Sequence, residues 1–288
     1  MSDLNFIGIP THPVKSIGLG VFDGLHIAHQ HLAQHCDTLL TFHPHPDLVL
    51  RKDTDLKHLT TLDELQELFT SVVALSFNRD VAQLSPTEFL DLIKETFNPE
   101  QIVVGYDYRF GHKRLGDFSV LTEWGDKNGI AVKEIAMFSR DEEPVKSGQI
   151  RRLMRARDFD RSLELLGHDY AITGTVVPGE GRGKKLGIPT ANLKVDAIKL
   201  LPEPGVYSAW TRVDGVQYPC IVYIGNKPTF DTDQEKGVEV HIPNFDGDLY
   251  TSELRIYLNG FIRGQEKFDS VDALVAQIKR DMLEIKRV

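Results

Sequence analysis

Two histidines three residues apart, His26 and His29, end the stretch Gly20-Val21-Phe22-Asp23-Gly24-Leu25-His26-Ile27-Ala28-His29. An apolar strand-like run precedes the turn and a helical pattern follows it. Such a junction presents free backbone N–H groups and the positive end of a helix dipole, which favour a phosphate. Asp23 and Gly24 in the turn are expected to line that phosphate. Two imidazoles at this spacing can face one oxyanion and stabilise charge during phosphoryl-group chemistry. A second stretch, from Gly179 to Asn192, gathers glycines, the cations Arg182, Lys184 and Lys185, and the sequence Pro189-Thr190-Ala191-Asn192. Its glycines let backbone amides approach a phosphate, and Gly183 and Lys184 are expected to bind one. Thr190 and Asn192 point the same way along an extended segment and can share one Mg²⁺.

Rival chemistries fit less well. Six of the 11 histidines, His26, His29, His31, His35, His43 and His45, crowd one short region, and His31 with His35 has helical ligand spacing. No neighbouring carboxylate or cysteine completes a usual zinc set. A dinucleotide fingerprint fails because Gly18-Leu19-Gly20 is followed by Val-Phe-Asp, and the glycine-rich stretch is not a Walker loop because Lys184 precedes Lys185 rather than Ser or Thr.

The elements that position these residues change character along the chain. Up to Phe138, strand-like runs (16–20, 38–42, 72–77, 101–105, 130–138) alternate with helical ones (25–36, 62–69, 117–128), the pattern of a parallel sheet with crossover helices. Ser85-Pro86-Thr87-Glu88 carries a capping serine, a proline at the first helical position and a glutamate three residues on, which predicts a helix to about Phe97. A helix pair, 147–156 and 158–166, ends at Gly167. From Tyr170, short alternating strands (171–177, 205–213, 217–224, 238–243, 252–258) and an Asp214-Gly215 hairpin signal predict an antiparallel sheet or small barrel. A last amphipathic helix, 270–286, is expected to pack its leucines, valine and isoleucines on that sheet. The expected class is α/β plus β in two domains, 1–167 and 168–288.

Composition agrees with two packed cores: 288 residues, 41% hydrophobic and 26% charged. The apolar runs are too short for a membrane span and no secretory signal is readable, so a cytoplasmic location is expected, with no membrane partner. Cys36 and Cys220 lie far apart and are expected as buried thiols. A formal net charge of -9 argues against general nucleic-acid binding and leaves small anions as partners. Nothing in the sequence fixes an oligomeric state.

The motifs have a family likeness. The turn around His26, together with Thr41-Phe42-His43-Pro44-His45-Pro46, Gly105-Tyr106-Asp107-Tyr108-Arg109-Phe110-Gly111 and Ser147-Gly148-Gln149-Ile150-Arg151, resembles the nucleotidyltransferase module of bacterial bifunctional riboflavin kinase/FAD synthetases. That resemblance implies a Rossmann-like first domain joining FMN to AMP. In it His26 and His29 contact the ATP phosphates, Asp107 lies in the nucleotide pocket, and Ser147 and Arg151 bind phosphate. The 179–192 stretch, with 204–207, 224–230, 238–241, 248–250 and 262–268, looks like riboflavin kinases. It implies ATP and Mg²⁺ on the loop, Glu239 as the base for the ribityl hydroxyl, and Arg263 reaching flavin or nucleotide from a flap. On this reading the substrates and products are riboflavin, FMN, FAD and ATP. Departures are Ala28 in place of glycine, Tyr108 in place of phenylalanine, Lys146-Ser147-Gly148 in place of Ser-Ser-Thr, and a short segment from His29 to Thr41. They leave a kinase-only enzyme and a non-catalytic flavin sensor as alternatives.

Overall fold

A computed structural model describes residues 5–50, 56–179, 183, 186–226 and 236–286. By internal contacts the chain divides into two compact units, residues 1–147 and 148–288.

The first unit runs β1 (Phe6–Ile7), β2 (Ser16–Leu19), α1 (Ile27–Ala33), β3 (Thr38–His43), α2 (Pro46–Leu50), α3 (Leu62–Leu68), β4 (Val72–Ser76), α4 (Pro86–Phe97), β5 (Gln101–Gly105), α5 (Phe118–Asn128), β6 (Ala131–Ile135) and the small ladder β7 (Ser139–Arg140) with β8 (Glu143–Pro144). Its sheet has the order β1-β4-β3-β2-β5-β6, parallel throughout except for the edge strand β1. Both faces are buried, as crossover helices require. Leu40, Ile102 and Val104 enter one apolar cluster with Phe89, Ile93, Leu121 and Trp124. Leu39 and Val103 enter the other with Phe22, Leu32 and Leu65.

Local signals start and stop the helices. At α4 the Ser85 Oγ accepts from the Glu88 amide at 3.2 Å, and the Glu88 carboxylate accepts from the Ser85 amide at 2.7 Å, a closed capping box. Helix α5 begins on Asp117 and ends at Gly129, which has φ +69°. Helix α1 is shorter than the 25–36 expected, because Leu25 has φ +33° and His26 serves as the N-cap. Strand β6 likewise stops at Ile135, short of Phe138.

The second unit opens with α6 (Ser147–Arg155) and α7 (Phe159–Leu166), the first residue of α6 belonging to the first unit. It continues with β9 (Tyr170–Val177), β10 (Ala191–Val195), β11 (Gly205–Val213), β12 (Val216–Asn226), β13 (Lys236–His241), β14 (Glu253–Gly264) and α8 (Val271–Asp281). Strands β10-β13-β12-β11-β14-β9 close an antiparallel barrel, filled by Ile172, Leu193, Val222, Val238, Val240 and Ile256 among others. Closure removes the exposed edges an open sheet would leave.

Helix α8 departs from expectation. It stops at Asp281 and gives way to a short 3-10 turn, Met282–Glu284. Val271 and Leu283 are 55% and 83% exposed, and the side chain the helix buries is Asp281. An inward carboxylate needs a cationic partner, and its partner sets the helix's seating. Strand β10, helix α2 and the two-residue strands gave too little periodicity to be expected.

Both cysteines are free thiols, and burial pushes Cys36 up to about 12. Tyr108 packs on the first cluster with its ring stacked on Phe110, and its buried hydroxyl has no hydrogen-bond partner among the described residues. Desolvation raises its pKa. Removing an unsatisfied buried hydroxyl relieves a desolvation penalty. Tyr108→Phe is therefore expected to stabilise the first unit by about 1 kcal/mol. Urea unfolding followed by Trp124 fluorescence in a Trp210→Phe background checks this, and an unchanged or lower midpoint contradicts it.

Candidate active sites

In the first sheet the chain runs outward from β2 through β3 to β4 and returns to the other side of β2 as β5. Open α/β sheets bind ligands at such a reversal, beyond the carboxyl ends of the strands. Here the turn 20–26 leaves β2 and Tyr106-Asp107 leaves β5. The turn is tightly wound, with Phe22, Gly24 and Leu25 at φ +54°, +88° and +33° and with the Phe22 and Leu25 side chains buried. Strain of this kind persists only where the surroundings enforce it. The enforcing group is Asp23, whose Oδ1 accepts from the Leu59 and Thr60 amides at 2.9 and 3.1 Å. The Gly24 amide in turn donates to the Thr60 hydroxyl at 2.9 Å. Both expected phosphate residues thus brace the turn.

His26 and His29 come together as expected. Their rings stack with centroids 3.6 Å apart, and the His29 amide reaches His26 Nδ1 at 3.4 Å. The Phe22 ring meets His29 edge-on. His29 Nδ1 is buried with no partner among the described residues, and its pKa is lowered by burial first and by His26 second. A neutral imidazole at neutral pH donates through a ring N–H without adding net charge.

Ser147 joins this cluster, its hydroxyl donating to the Asp23 carbonyl at 2.8 Å. Asp107 is exposed and pairs with Lys146 at 3.1 Å. Arg109 is held by Asp117 at 2.6 Å. Arg151, half-buried on α6, falls in the second unit. Beside the turn, Thr41, His43, His45, His58 and Thr60 line a cavity of about 30 Å³, room for a water. Among the described residues no group of three or more His, Cys, Asp or Glu side chains has metal-holding geometry.

In the barrel, Val238 and Val240 point inward at 1% exposure, which turns Glu239 and His241 outward. Glu239 lies opposite Asn192 on β10, and Thr190 Oγ1 donates to Glu239 Oε2 at 3.2 Å. His241 Nδ1 lies 2.8 Å from the Pro189 carbonyl, fixing the segment just before Thr190. The glycines beside them have a packing reason. A Cβ on Gly179 would lie 2.1 Å from the Asn192 side-chain nitrogen, and one on Gly183 would lie 2.4 Å from the Ile188 carbonyl oxygen. Lys184 lies outside the described residues.

Register extends the site. Asn192, Glu239, Tyr223, Val206 and Arg263 are successive cross-strand partners over five strands. Three strand spacings place Glu239 and Arg263 at most about 14 Å apart. Arg263 is held tightly: Nε donates to Asp281 Oδ1 at 2.9 Å, Nη2 to Oδ2 at 2.8 Å, and Nη1 to the Gly264 carbonyl at 3.1 Å. Its guanidinium lies over the Phe268 ring, 5.6 Å from the centroid. The Asp281 side chain is 3% exposed and that of Arg263 16%. Asp281 was not expected from the sequence, although its spacing from Leu274 and Ile278 puts it on the helix's inward stripe.

The FAD synthetase family matches residues 9–149 and the riboflavin kinase family residues 166–288. A bifunctional riboflavin kinase/FMN adenylyltransferase from Listeria monocytogenes is 31% identical over 93% of this chain and 90% of its own length. Its counterpart from Bacillus subtilis is 30% identical over 96% of this chain and 95% of its own. A solved structure described as a macrolide-efflux protein from Streptococcus pneumoniae superposes with a TM-score of 0.84, at 29% identity, over 97% of this chain and 96% of that one. No helix among the described residues is long and apolar enough to cross a membrane.

Two outcomes follow. Asp281→Ala removes the charge-assisted bonds that hold Arg263, leaving Glu266 at 3.9 Å as its acidic neighbour, and is expected to destabilise the barrel by about 2 kcal/mol, read by chemical denaturation. The folded pKa of His29 lies below its unfolded value, so the unfolded chain binds the proton first as pH falls. Stability then drops from about pH 6.5 down to the folded pKa. His29→Gln is expected to flatten that slope, and an identical pH profile for variant and wild type would contradict the assignment.

Proposed function

The chain belongs to the family of bifunctional riboflavin kinase/FMN adenylyltransferases, and we propose how its residues divide the work. The enzyme phosphorylates riboflavin to FMN with ATP as co-substrate, then joins FMN to AMP to give FAD and pyrophosphate.

Glu239 is the base of the kinase step. It takes the proton of the ribityl hydroxyl as that oxygen bonds to the γ-phosphorus of ATP and ADP leaves. The observation that carries this is the 3.2 Å contact between Glu239 and Thr190, which puts the carboxylate beside the phosphate loop. Thr190 and Asn192 would hold Mg²⁺. Their neutral oxygens next to a carboxylate make a hard, oxygen-only donor set suited to that ion. The ion would offset phosphate charge during transfer. Gly179 and Gly183 keep the loop backbone close to those ligands, and Lys184 supplies a cation to the phosphates. With its hydrogen-bonding edges engaged by Asp281 and Gly264 and one face over the Phe268 ring, Arg263 has its other face for the planar ring of a flavin.

In the adenylyl step a phosphate oxygen of FMN attacks the α-phosphorus of ATP, and the bond to the β-phosphate breaks. An attacking phosphate is already an anion, so the site needs placement and charge stabilisation rather than a base. His26 and His29 line the phosphates, Ser147 and Arg151 bind them, and Asp107 holds the nucleotide. Asp23 and Gly24 serve by shaping the turn. We place the boundary between the two functions at 167, where Gly167 ends α7 in a left-handed conformation, and assign residues 1–167 and 168–288 to the two activities. The acidic net charge and the small anionic substrates support a cytoplasmic enzyme with no nucleic-acid or membrane partner.

A time course of riboflavin with Mg²⁺ and ATP is expected to show FMN rising and then FAD. Accumulation of FMN alone points to a kinase-only chain, and flavin binding without FMN to a sensor. Glu239→Gln is expected to lower kcat for FMN formation by at least about 100-fold. Its riboflavin KM and its FAD formation from supplied FMN stay near wild type. An unimpaired kcat in that variant removes Glu239 as the base.

A further inference from the structure

The crevice between the carboxyl ends of β2 and β5 has a third wall. After β6 and the small β7–β8 ladder, the chain returns to it at Val145–Ser147. The Val145 amide donates to the Phe138 carbonyl, and the Ser147 hydroxyl donates to the Asp23 carbonyl at 2.8 Å. Lys146 sits between these two anchors. Its Nζ reaches Asp107 Oδ2 at 3.1 Å, on the far side of the crevice, and lies 5.7 Å from the centroid of the Tyr106 ring. Lys146 therefore spans from the segment that touches the histidine turn to the segment that leaves β5.

We propose that Lys146 is a phosphate-binding residue of the adenylyl-transfer site, held over the crevice by Asp107 and passed to the phosphates of ATP and to the departing pyrophosphate. The inference rests on the adenylyl-transfer reading and adds a residue to it.

Three observations carry it. The reaction brings together two polyanions, and burial together with His26 lowers the pKa of His29, which disfavours its cationic form. Arg109, one of the cations in the segment after β5, pairs with Asp117 rather than with Asp107. The Lys146–Asp107 pair is open to water, with side chains 54% and 58% exposed. An exposed ion pair is worth little on its own, so a phosphate can replace Asp107 at small cost. A phosphate presents several charged acceptor oxygens where Asp107 engages through one, so the exchange favours the ligand once it is bound. The ammonium also suits this position. It is a compact charge on a flexible stem, able to follow the phosphate from substrate to leaving group. The position carries a lysine where the resembled motif has a serine, so a cation stands where a neutral hydroxyl would be.

The test compares wild type with Lys146→Met and Lys146→Arg, with pyrophosphate as the probe. FAD formation from supplied FMN gives KM for ATP and the inhibition constant of pyrophosphate, and calorimetry gives pyrophosphate binding without turnover. Losing one charge-assisted contact is expected to weaken pyrophosphate about 10- to 100-fold in Lys146→Met. KM for ATP rises with it, and Lys146→Arg retains most of the wild-type values. FMN formation from riboflavin serves as an internal control and stays level, as does the thermal midpoint, since the pair is exposed. Equal pyrophosphate affinity in wild type and Lys146→Met overturns the proposal, as does a loss of affinity matched by a fall in the thermal midpoint. Should the wild type make no FAD, the adenylyl reading fails, while the calorimetric comparison still decides whether Lys146 binds phosphate.

Discussion

Strand β2 has a hydrogen-bonded neighbour on each side, and the chain reaches them in opposite directions. A parallel strand can be joined to the next only by a crossover, which lays a helix or long connection on one face of the sheet. Reversing direction at β2 keeps both faces covered and opens a gap at the carboxyl edge. The side chains follow from that. Leu39 and Leu40, or Val103 and Val104, go to opposite cores because neither face meets water. Polar groups collect where the strands stop. Asp23 then converts an opening into a shaped site: one buried carboxylate oxygen holds two amides of a distant segment, and the turn carrying His26 has no slack left.

The barrel meets its constraint differently. With every strand paired, side chains on β13 alternate between the interior and the outside, and its outward residues have neighbours fixed by register. Glu239 faces Asn192 because β13 and β10 pair in that frame, and a slip by one residue would turn the carboxylate into the apolar interior. The same frame aligns Arg263 with Glu239 and Asn192 across strands distant in sequence. Helix α8 completes the arrangement from outside, and its inward stripe carries a buried carboxylate, Asp281, beside the half-buried Leu274 and Ile278.

Much of this was legible in the sequence because it is written in short-range periodicity or in close motifs. The Ser85–Glu88 box, Gly129, Gly167, the inward valines flanking Glu239 and the pairing of His26 with His29 all depend on residues within a few positions. The limits of α1 were misjudged because a left-handed Leu25 is imposed by the braced turn, and propensity gives no hint of that. Asp281 and Lys146 needed the fold. Their partners lie 18 and 39 residues away, and their sequence neighbourhoods read as an ordinary helix end and a loop. The motif points Asp23 toward a phosphate. Its Oδ1 also accepts from the Leu59 and Thr60 amides, whose positions no local pattern reveals.

The same chemical pair, a carboxylate with a cation, appears in both units with opposite consequences, and burial decides which. The Asp281 carboxylate is buried and Arg263 largely covered, so separating them would strand the carboxylate in a poor medium. That pair behaves as a fixed part, and the guanidinium keeps one orientation whatever binds. Asp107 and Lys146 stand in solvent, where separation costs little. That pair behaves as a placeholder, with the carboxylate keeping the ammonium over the crevice until a more highly charged anion arrives. Two steps that both move phosphoryl groups thus call for cations of different kinds. An arginine locked on its edges keeps one orientation, and a lysine paired in solvent is free to follow a phosphate that changes hands.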